Sequence, residues 1–189
     1  MTEELKDRRV AFMIANEGVE QVELTTPWQA VIDAGARAEL LSPEEGSAQA
    51  FNHLDKGDVF PVDLRVGDAD PASYDALVLP GGVANPDQLR MVPEAVRFVQ
   101  ALFEAGKPAA VICHGPWTVV EADLVRGRTL TSWPSLKTDI RNAGGTWVDR
   151  EVQVCTEGPN VLVTSRKPAD LPAFCTELVG AFSHAGQPA

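Results

Sequence analysis

Three cysteines and three histidines are all that this chain of 189 residues contains. Cys113, Cys155 and Cys175 are odd in number, far apart and without a Cys-x-x-Cys pair, so neither a disulfide framework nor a zinc site is expected. His53, His114 and His184 include no two at ligand spacing, and no metal or other cofactor is expected. Long apolar runs are also missing: none approaches the roughly 18 residues of a membrane span. The first nine residues, Met1 to Arg9, are charged and carry no apolar stretch of the signal-peptide kind, so a cytoplasmic protein is expected. Positive charge is in deficit, with a formal net charge of -11, which argues against a broad nucleic-acid or anionic-membrane surface. The local exception, Arg126, Arg128, Lys137 and Arg141, reads as a solvated face.

What is present is a repeated alternation of strand and helix. Arg9 to Ala15 is a β-rich apolar run, Thr26-Pro27 opens a helix that Gly35 closes, and Arg37 to Ser42 is the next strand. That unit has the length of a right-handed parallel crossover. Glu44 to Asp70 is polar, alternates only at Val59 to Val66, and reads as a hairpin or irregular insertion. Asp75 to Leu79 is a strand ended by Pro80-Gly81-Gly82, Pro93 to Ala105 has helical spacing, and Pro108 to Ile112 is a further strand. Beyond it come a helix at Trp117 to Ala122, a short strand at Thr129 to Thr131 and a helix at Ser135 to Ala143. Strands at Trp147 to Val154 and Val161 to Ser165 precede a last helix, Ala169 to Phe182. The pattern predicts a mostly parallel sheet covered on both faces, formed by residues 9–182. Residues 1–8 are assigned to an N-terminal extension and 183–189 to a tail.

In such sheets the loops at the carboxyl ends of strands form the ligand crevice. Three clusters fall there: Asn16 to Glu23, Gly81 to Gln88, and Cys113-His114. An apolar strand that ends in a nucleophile, followed by glycine and helix-compatible residues, describes a sharp strand-to-helix turn with the sulfur exposed. A helix N-terminus beyond it favours thiolate over thiol. Cys113 is therefore the candidate nucleophile and His114 the candidate acid and base. Among Glu17, Glu20 and Glu23, one carboxyl kept neutral in a dry crevice could donate a hydrogen bond to the thiolate, and spacing alone does not choose. Gly81-Gly82 can turn backbone N–H groups toward an oxyanion, and Asp87 can orient a histidine or cap a turn. Cys155 and Cys175 read as packing residues.

Several motifs together resemble the ThiJ/PfpI superfamily, in its PfpI-like branch, from about Arg9 to Phe182. They are Ala15-Asn16-Glu17 with Val19 to Leu24, Tyr74 to Gly82, Gly106-Lys107-Pro108 through Ile112-Cys113-His114-Gly115-Pro116, and the later Arg126-Gly127-Arg128, Asn142-Ala143-Gly144 and Thr164-Ser165-Arg166. The resemblance implies a flavodoxin-like three-layer α/β/α sandwich related to class I glutamine amidotransferases. It matches Glu20 to the family glutamate that contacts the reactive cysteine, and Asp87 to an acidic residue that reaches the histidine of a neighbouring subunit. It thereby implies a homodimer or a higher homo-oligomer.

The expected activity is that of a cofactor-free, stress-protective cysteine enzyme. Its substrates would be reactive dicarbonyls such as methylglyoxal and glyoxal, or their adducts on amines, with the oxyanion held by the N–H groups of Gly82 and His114. The alternatives are a cysteine peptidase that borrows Asp87 from a neighbour, and an oxidation sensor or chaperone with Cys113 as the sensor.

Overall fold

A computed structural model describes residues 4–184. The chain opens with β1 (Arg9–Met13), β2 (Glu17–Glu20), α1 (Gln21–Asp33) and β3 (Arg37–Ser42), followed by a hairpin of β4 (Ser47–Asn52) and β5 (Asp55–Pro61) and the short β6 (Leu64–Arg65). Next come β7 (Ala76–Leu79), α2 (Ala84–Leu89), α3 (Pro93–Glu104), β8 (Ala109–Ile112), α4 (Pro116–Glu121) and β9 (Thr129–Leu130). The last part holds α5 (Lys137–Asn142), β10 (Thr146–Trp147), β11 (Val152–Cys155), β12 (Leu162–Ser165) and α6 (Leu171–Ser183).

Seven strands form the central sheet in the order β11-β12-β8-β7-β1-β3-β6, all parallel except β11, which runs antiparallel to β12. Alternate residues of its central strands feed two cores. Ala11, Met13, Leu77, Leu79, Ala109 and Val111 pack with Phe98, Val99, Leu102 and Phe103 of α3 on one face. Val10, Phe12, Ala76, Val78, Ala110 and Ile112 pack with α1 and α6 on the other, through Leu24, Val31, Phe174, Leu178 and Phe182. Side chains of a strand point alternately to opposite faces, so a strand buried on both must be apolar throughout; β7 and β8 are fully buried along their length. The result is the expected three-layer α/β/α sandwich with a mostly parallel sheet.

Five local expectations need correction. The first helix starts at Gln21, not Thr26, and Pro27 lies inside it. Glu23, Leu24, Pro27 and Val31 are its buried residues, and docking that stripe on the sheet outweighs the one backbone hydrogen bond Pro27 cannot make. The strand expected over Trp147 to Val154 is two strands in different sheets, because β10 pairs with β9 and β11 with β12. Arg128 is not on a solvated face. It is 2% exposed, its Nη1 donates to Asn160 Oδ1 at 2.7 Å and its Nη2 to the Asn160 carbonyl, and the guanidinium lies over the Phe103 ring. Finally, Leu5, placed in the supposed extension, is fully buried, and its N–H donates to the Ala34 carbonyl at 2.8 Å. The tail expected over 183–189 begins as the end of α6, with His184 as its C-cap; residues 185–189 lie outside the described residues.

The polar stretch after β3 does form a hairpin. Strands β4 and β5 join β2 in a separate three-stranded sheet, with β2 parallel to β4 and β4 antiparallel to β5. This small sheet stands beside the carboxyl edge of the main one and supplies a wall to the crevice there.

Candidate active site

Cys113 follows β8 directly and adopts a left-handed backbone, φ 62°. A non-glycine residue in that region is strained, and three bonds hold it there: its N–H donates to the Ser165 carbonyl, its carbonyl accepts from the Trp133 N–H, and Gly115 N–H returns to the Ile112 carbonyl. The turn directs Sγ out of the sheet into a cavity of about 520 Å³ whose lining includes Glu20, Glu23, Gly82 and His114. Backbone N–H groups of Gly82 and His114 both point at the sulfur. Gly82 manages this with φ 81°, a conformation open to glycine.

The carboxyl that meets Cys113 is Glu23, not Glu20. Because α1 begins at Gln21, Glu23 lies in its first turn on the buried stripe, is 0% exposed, and accepts the Gly81 N–H at 3.0 Å through Oε2. Its hydrogen-bonding contact with the Cys113 side chain completes the link. Glu20 precedes the helix as its N-cap residue, at the end of β2, and its Oε2 accepts the His53 N–H at 3.1 Å. Glu20 lines the same cavity, nearer the β4–β5 hairpin. One turn of helix begun earlier than Thr26-Pro27 suggests thus exchanges the roles of two carboxylates three residues apart.

Burial raises the Glu23 carboxyl to about 8, with the nearby Glu20 charge adding to the rise. Glu23 is accordingly protonated at neutral pH. Burial first, and then an ionised Glu23, push the Cys113 thiol up, which corrects the expectation of a thiol lowered by a helix N-terminus. Helix α4 has only six residues, and its field does not offset the desolvation of a sulfur that is 6% exposed. The second cause disappears while Glu23 keeps its proton, and the neutral carboxyl then serves as a donor to sulfur. Proton occupancy of Glu23 and reactivity of Cys113 are therefore coupled.

His114 is 7% exposed and held below its ordinary imidazole value by burial. Its Nδ1 lies 3.2 Å from Cys113 Sγ, and its Nε2 lies 3.4 Å from Ser135 Oγ. The Trp133 ring stacks on it and the Trp117 ring meets it edge-on, which fixes the ring plane. With Nδ1 unprotonated, the ring can take a proton from the thiol, and Nε2–H is then directed at Ser135. Asp87 does not join this group within one chain. It is exposed on α2, beside a separate surface groove with Arg90, Arg97 and Glu121.

Two contributors had no usable signal in the sequence. Ser135 is a lone serine 21 positions from His114, brought to the ring by the turn before α5. Asn85 is fully buried, accepts the Ala15 N–H at 2.6 Å and donates to the carbonyls of Pro80 and Gly81, which ties the loop after β1 to the turn after β7. A buried amide with all its partners inside the protein rigidifies the turn that presents Gly81 and Gly82. Cys155 is buried as expected, and Cys175 is half-buried on α6, its thiol pushed up to about 11 by desolvation. Among the described residues no cluster of His, Cys, Asp or Glu could hold a metal ion, and no helix is long and apolar enough to cross a membrane.

Comparison with known proteins gives the same picture. The DJ-1/PfpI family model matches residues 8–181. A protein of Pyrococcus horikoshii named Deglycase PH1704 is 41% identical over 171 residues, covering 90% of this chain and 97% of its own. Putative cysteine protease YraA of Bacillus subtilis is 34% identical over 170 residues, covering 90% of this chain and 95% of that protein. Among solved structures, a two-domain Anabaena variabilis protein with DJ-1/ThiJ/PfpI-like and ferritin-like domains superposes with a TM-score of 0.85 at 31% identity, over 97% of this chain and 50% of the other. Drosophila melanogaster DJ-1beta superposes at 0.81 with 21% identity, over 96% and 92%. The left-handed cysteine turn after β8, the doubly covered sheet and a match over nearly the whole described chain place this protein in the DJ-1/PfpI family.

Proposed function

We propose that the protein is a cofactor-free cysteine enzyme acting on reactive dicarbonyls such as methylglyoxal and glyoxal, or on their adducts with amines. The observation that carries this reading is a single sulfur at the base of a cavity, facing two backbone N–H groups, a protonated carboxyl and a neutral imidazole. Sγ adds to the aldehyde carbon as its proton passes to His114, and the N–H groups of Gly82 and His114 hold the developing oxyanion. With an amine adduct, sulfur displaces the amine, which leaves with a proton, and the same hemithioacetal forms. Transfer of the C1 proton to C2 through His114 and Glu23 yields a thioester. Water then cleaves it, releases a hydroxy acid and restores the thiol. Names of the deglycase relatives agree with this chemistry. Lactate formation from methylglyoxal should be lost in Cys113→Ser; full retention would overturn the reading.

A peptidase is the second reading, supported by the 3.2 Å approach of His114 Nδ1 to Cys113 Sγ and by the protease name of the Bacillus subtilis relative. It needs a carboxylate on His114, and an exposed Asp87 of a neighbouring copy in a homo-oligomer would have to supply it. Purified protein should then cleave peptides and lose that activity in Asp87→Ala. No cleavage by the wild type ends this reading.

A further inference from the structure

The motif Thr164-Ser165-Arg166 closes β12 at the carboxyl edge of the sheet, beside β8 and Cys113, and the proposed reaction uses none of its side chains. Each of the three is nonetheless tied. Thr164 Oγ1 accepts the Thr131 N–H at 3.0 Å and donates to the Gln153 carbonyl at 3.4 Å. Ser165 Oγ donates to the Glu151 carbonyl at 2.6 Å. Arg166 donates to the Asp170 carboxylate through Nε at 2.9 Å and Nη2 at 3.0 Å, and its backbone N–H adds a bond of 3.1 Å. Its Nη1 donates to Asp149 Oδ1 at 2.6 Å. Asp170 is 4% exposed, so a buried carboxylate takes all three of those bonds from one residue. A bidentate pair out of water fixes geometry more firmly than a surface pair does.

What the motif holds is the backbone on both sides of the sulfur. The Ser165 carbonyl, set between the Ser165 hydroxyl bond and the Arg166 fork, accepts the Cys113 N–H. Thr131, held by Thr164, opens the turn in which the Trp133 N–H donates to the Cys113 carbonyl. Cys113 is a non-glycine residue at φ 62°, a conformation that relaxes to the ordinary regions once either partner moves. Pro168, two residues beyond Arg166, belongs to the cavity wall.

We infer that Thr164, Arg166 and Asp170 are positioning residues for Cys113: they clamp both backbone groups of the strained cysteine and so keep its sulfur on the N–H groups of Gly82 and His114. The inference deepens the carbonyl reading and rests on it only for the choice of Cys113 as the reacting sulfur. The other end of the same strand supplies a control. Asn160, just before β12 at the amino edge, is 5% exposed, accepts from Arg128 Nη1 and donates to the Lys107 carbonyl, both at 2.7 Å. It is as firmly bonded as Asp170 and has no part in the cavity.

The test reads the sulfur directly. The Cys113 thiolate attacks iodoacetamide with loss of iodide, and the rate is followed by mass on the Cys113 peptide at neutral pH, well below the thermal midpoint of each variant. Thr164→Val and Asp170→Asn should each slow it by about tenfold or more, because the thiolate loses the N–H donors that face it. For methylglyoxal, kcat should fall in parallel while KM stays within about twofold. Asn160→Ala should lower the thermal midpoint and leave the alkylation rate within about twofold of the wild type. If Asp170→Asn does not fold, Arg166→Lys takes its place, since it keeps the charge and loses the fork. A rate that follows the thermal midpoint across all variants, Asn160→Ala included, would make the motif a general support and overturn the inference. So would a wild-type rate in Thr164→Val. Lactate formation retained in Cys113→Ser would end the carbonyl reading and leave the clamp to stand on alkylation alone. Lactate lost in Cys113→Ser, with alkylation unchanged in the motif variants, would do the reverse.

Discussion

Glu23 and Cys113 close on Gly81 from two sides: a Cβ on that glycine would collide with Glu23 Oε2 and lie 2.6 Å from the Cys113 Cβ. The carboxyl and the thiol are thus held together across a residue with no side chain, and beyond the burial that raises both, each shifts the protonation of the other.

Replacing Glu23 by glutamine keeps a donor near sulfur and removes the charge that pushes the thiol up. The pH at which Cys113 reacts half-maximally with iodoacetamide should fall by about one to three units in Glu23→Gln. An unchanged or higher midpoint would show that an ionised Glu23 does not oppose the thiolate.

The same carboxyl makes stability depend on pH. Its folded value, about 8, lies above its ordinary value of 4.5, so its favourable state is fully present below 4.5 and stability is lost as pH rises toward 8. Glu23→Gln should therefore gain on the wild type between pH 5 and pH 9, by about 3–5 kcal/mol at the upper end. Urea unfolding at both ends of that range measures the difference; a gain that shrinks with rising pH contradicts the burial argument.

Ser135 Oγ is the partner of His114 Nε2. Ser135→Ala should lower kcat by roughly three- to tenfold at nearly constant KM, because the imidazolium loses an acceptor while the cavity keeps its shape. Ser135 is exposed, so its thermal midpoint should be close to that of the wild type. A change confined to KM would argue against this role.

Gly82→Ala is expected to be costly on two counts. The backbone sits at φ 81°, and the added methyl would run into the Gly18 carbonyl oxygen and approach Glu20 N within 2.8 Å. A loss of about 2–4 kcal/mol in stability should accompany loss of activity, and restored activity in a variant of unchanged stability would rule out this account.

Mild peroxide should oxidise Cys113 ahead of the other two thiols. Its sulfur lines the cavity, faces two N–H donors and has the His114 imidazole beside it to take its proton, whereas neither Cys155 nor Cys175 lines that cavity. Peptide mass spectrometry should find added oxygen on the Cys113 peptide first; equal oxidation of all three would remove any sensing role.

Most of the sheet was legible from residue pattern. Runs such as Ala76 to Leu79 and Ala109 to Ile112 are apolar at every position, and only a strand covered on both faces needs that. The start of α1 was not, because Thr26-Pro27 is a good local helix opening and nothing nearby in the sequence opposes it. The docking of Glu23, Leu24, Pro27 and Val31 on the sheet draws the helix five residues further back. Local propensity lost to burial there, and the choice between Glu20 and Glu23 turned on that one boundary.

By itself the sequence determined the doubly covered sheet, the strand that ends in Cys113, and the three loops that gather at its carboxyl edge. Apolar periodicity and turn residues are local properties, readable wherever they occur. Only the tertiary structure decided which carboxyl meets the sulfur, that Ser135 backs His114, that Asp87 does not reach either within its own chain, and that burial raises the Cys113 thiol. Those outcomes depend on helix rotation, on burial and on distances between residues remote in the chain, and sequence spacing carries none of these.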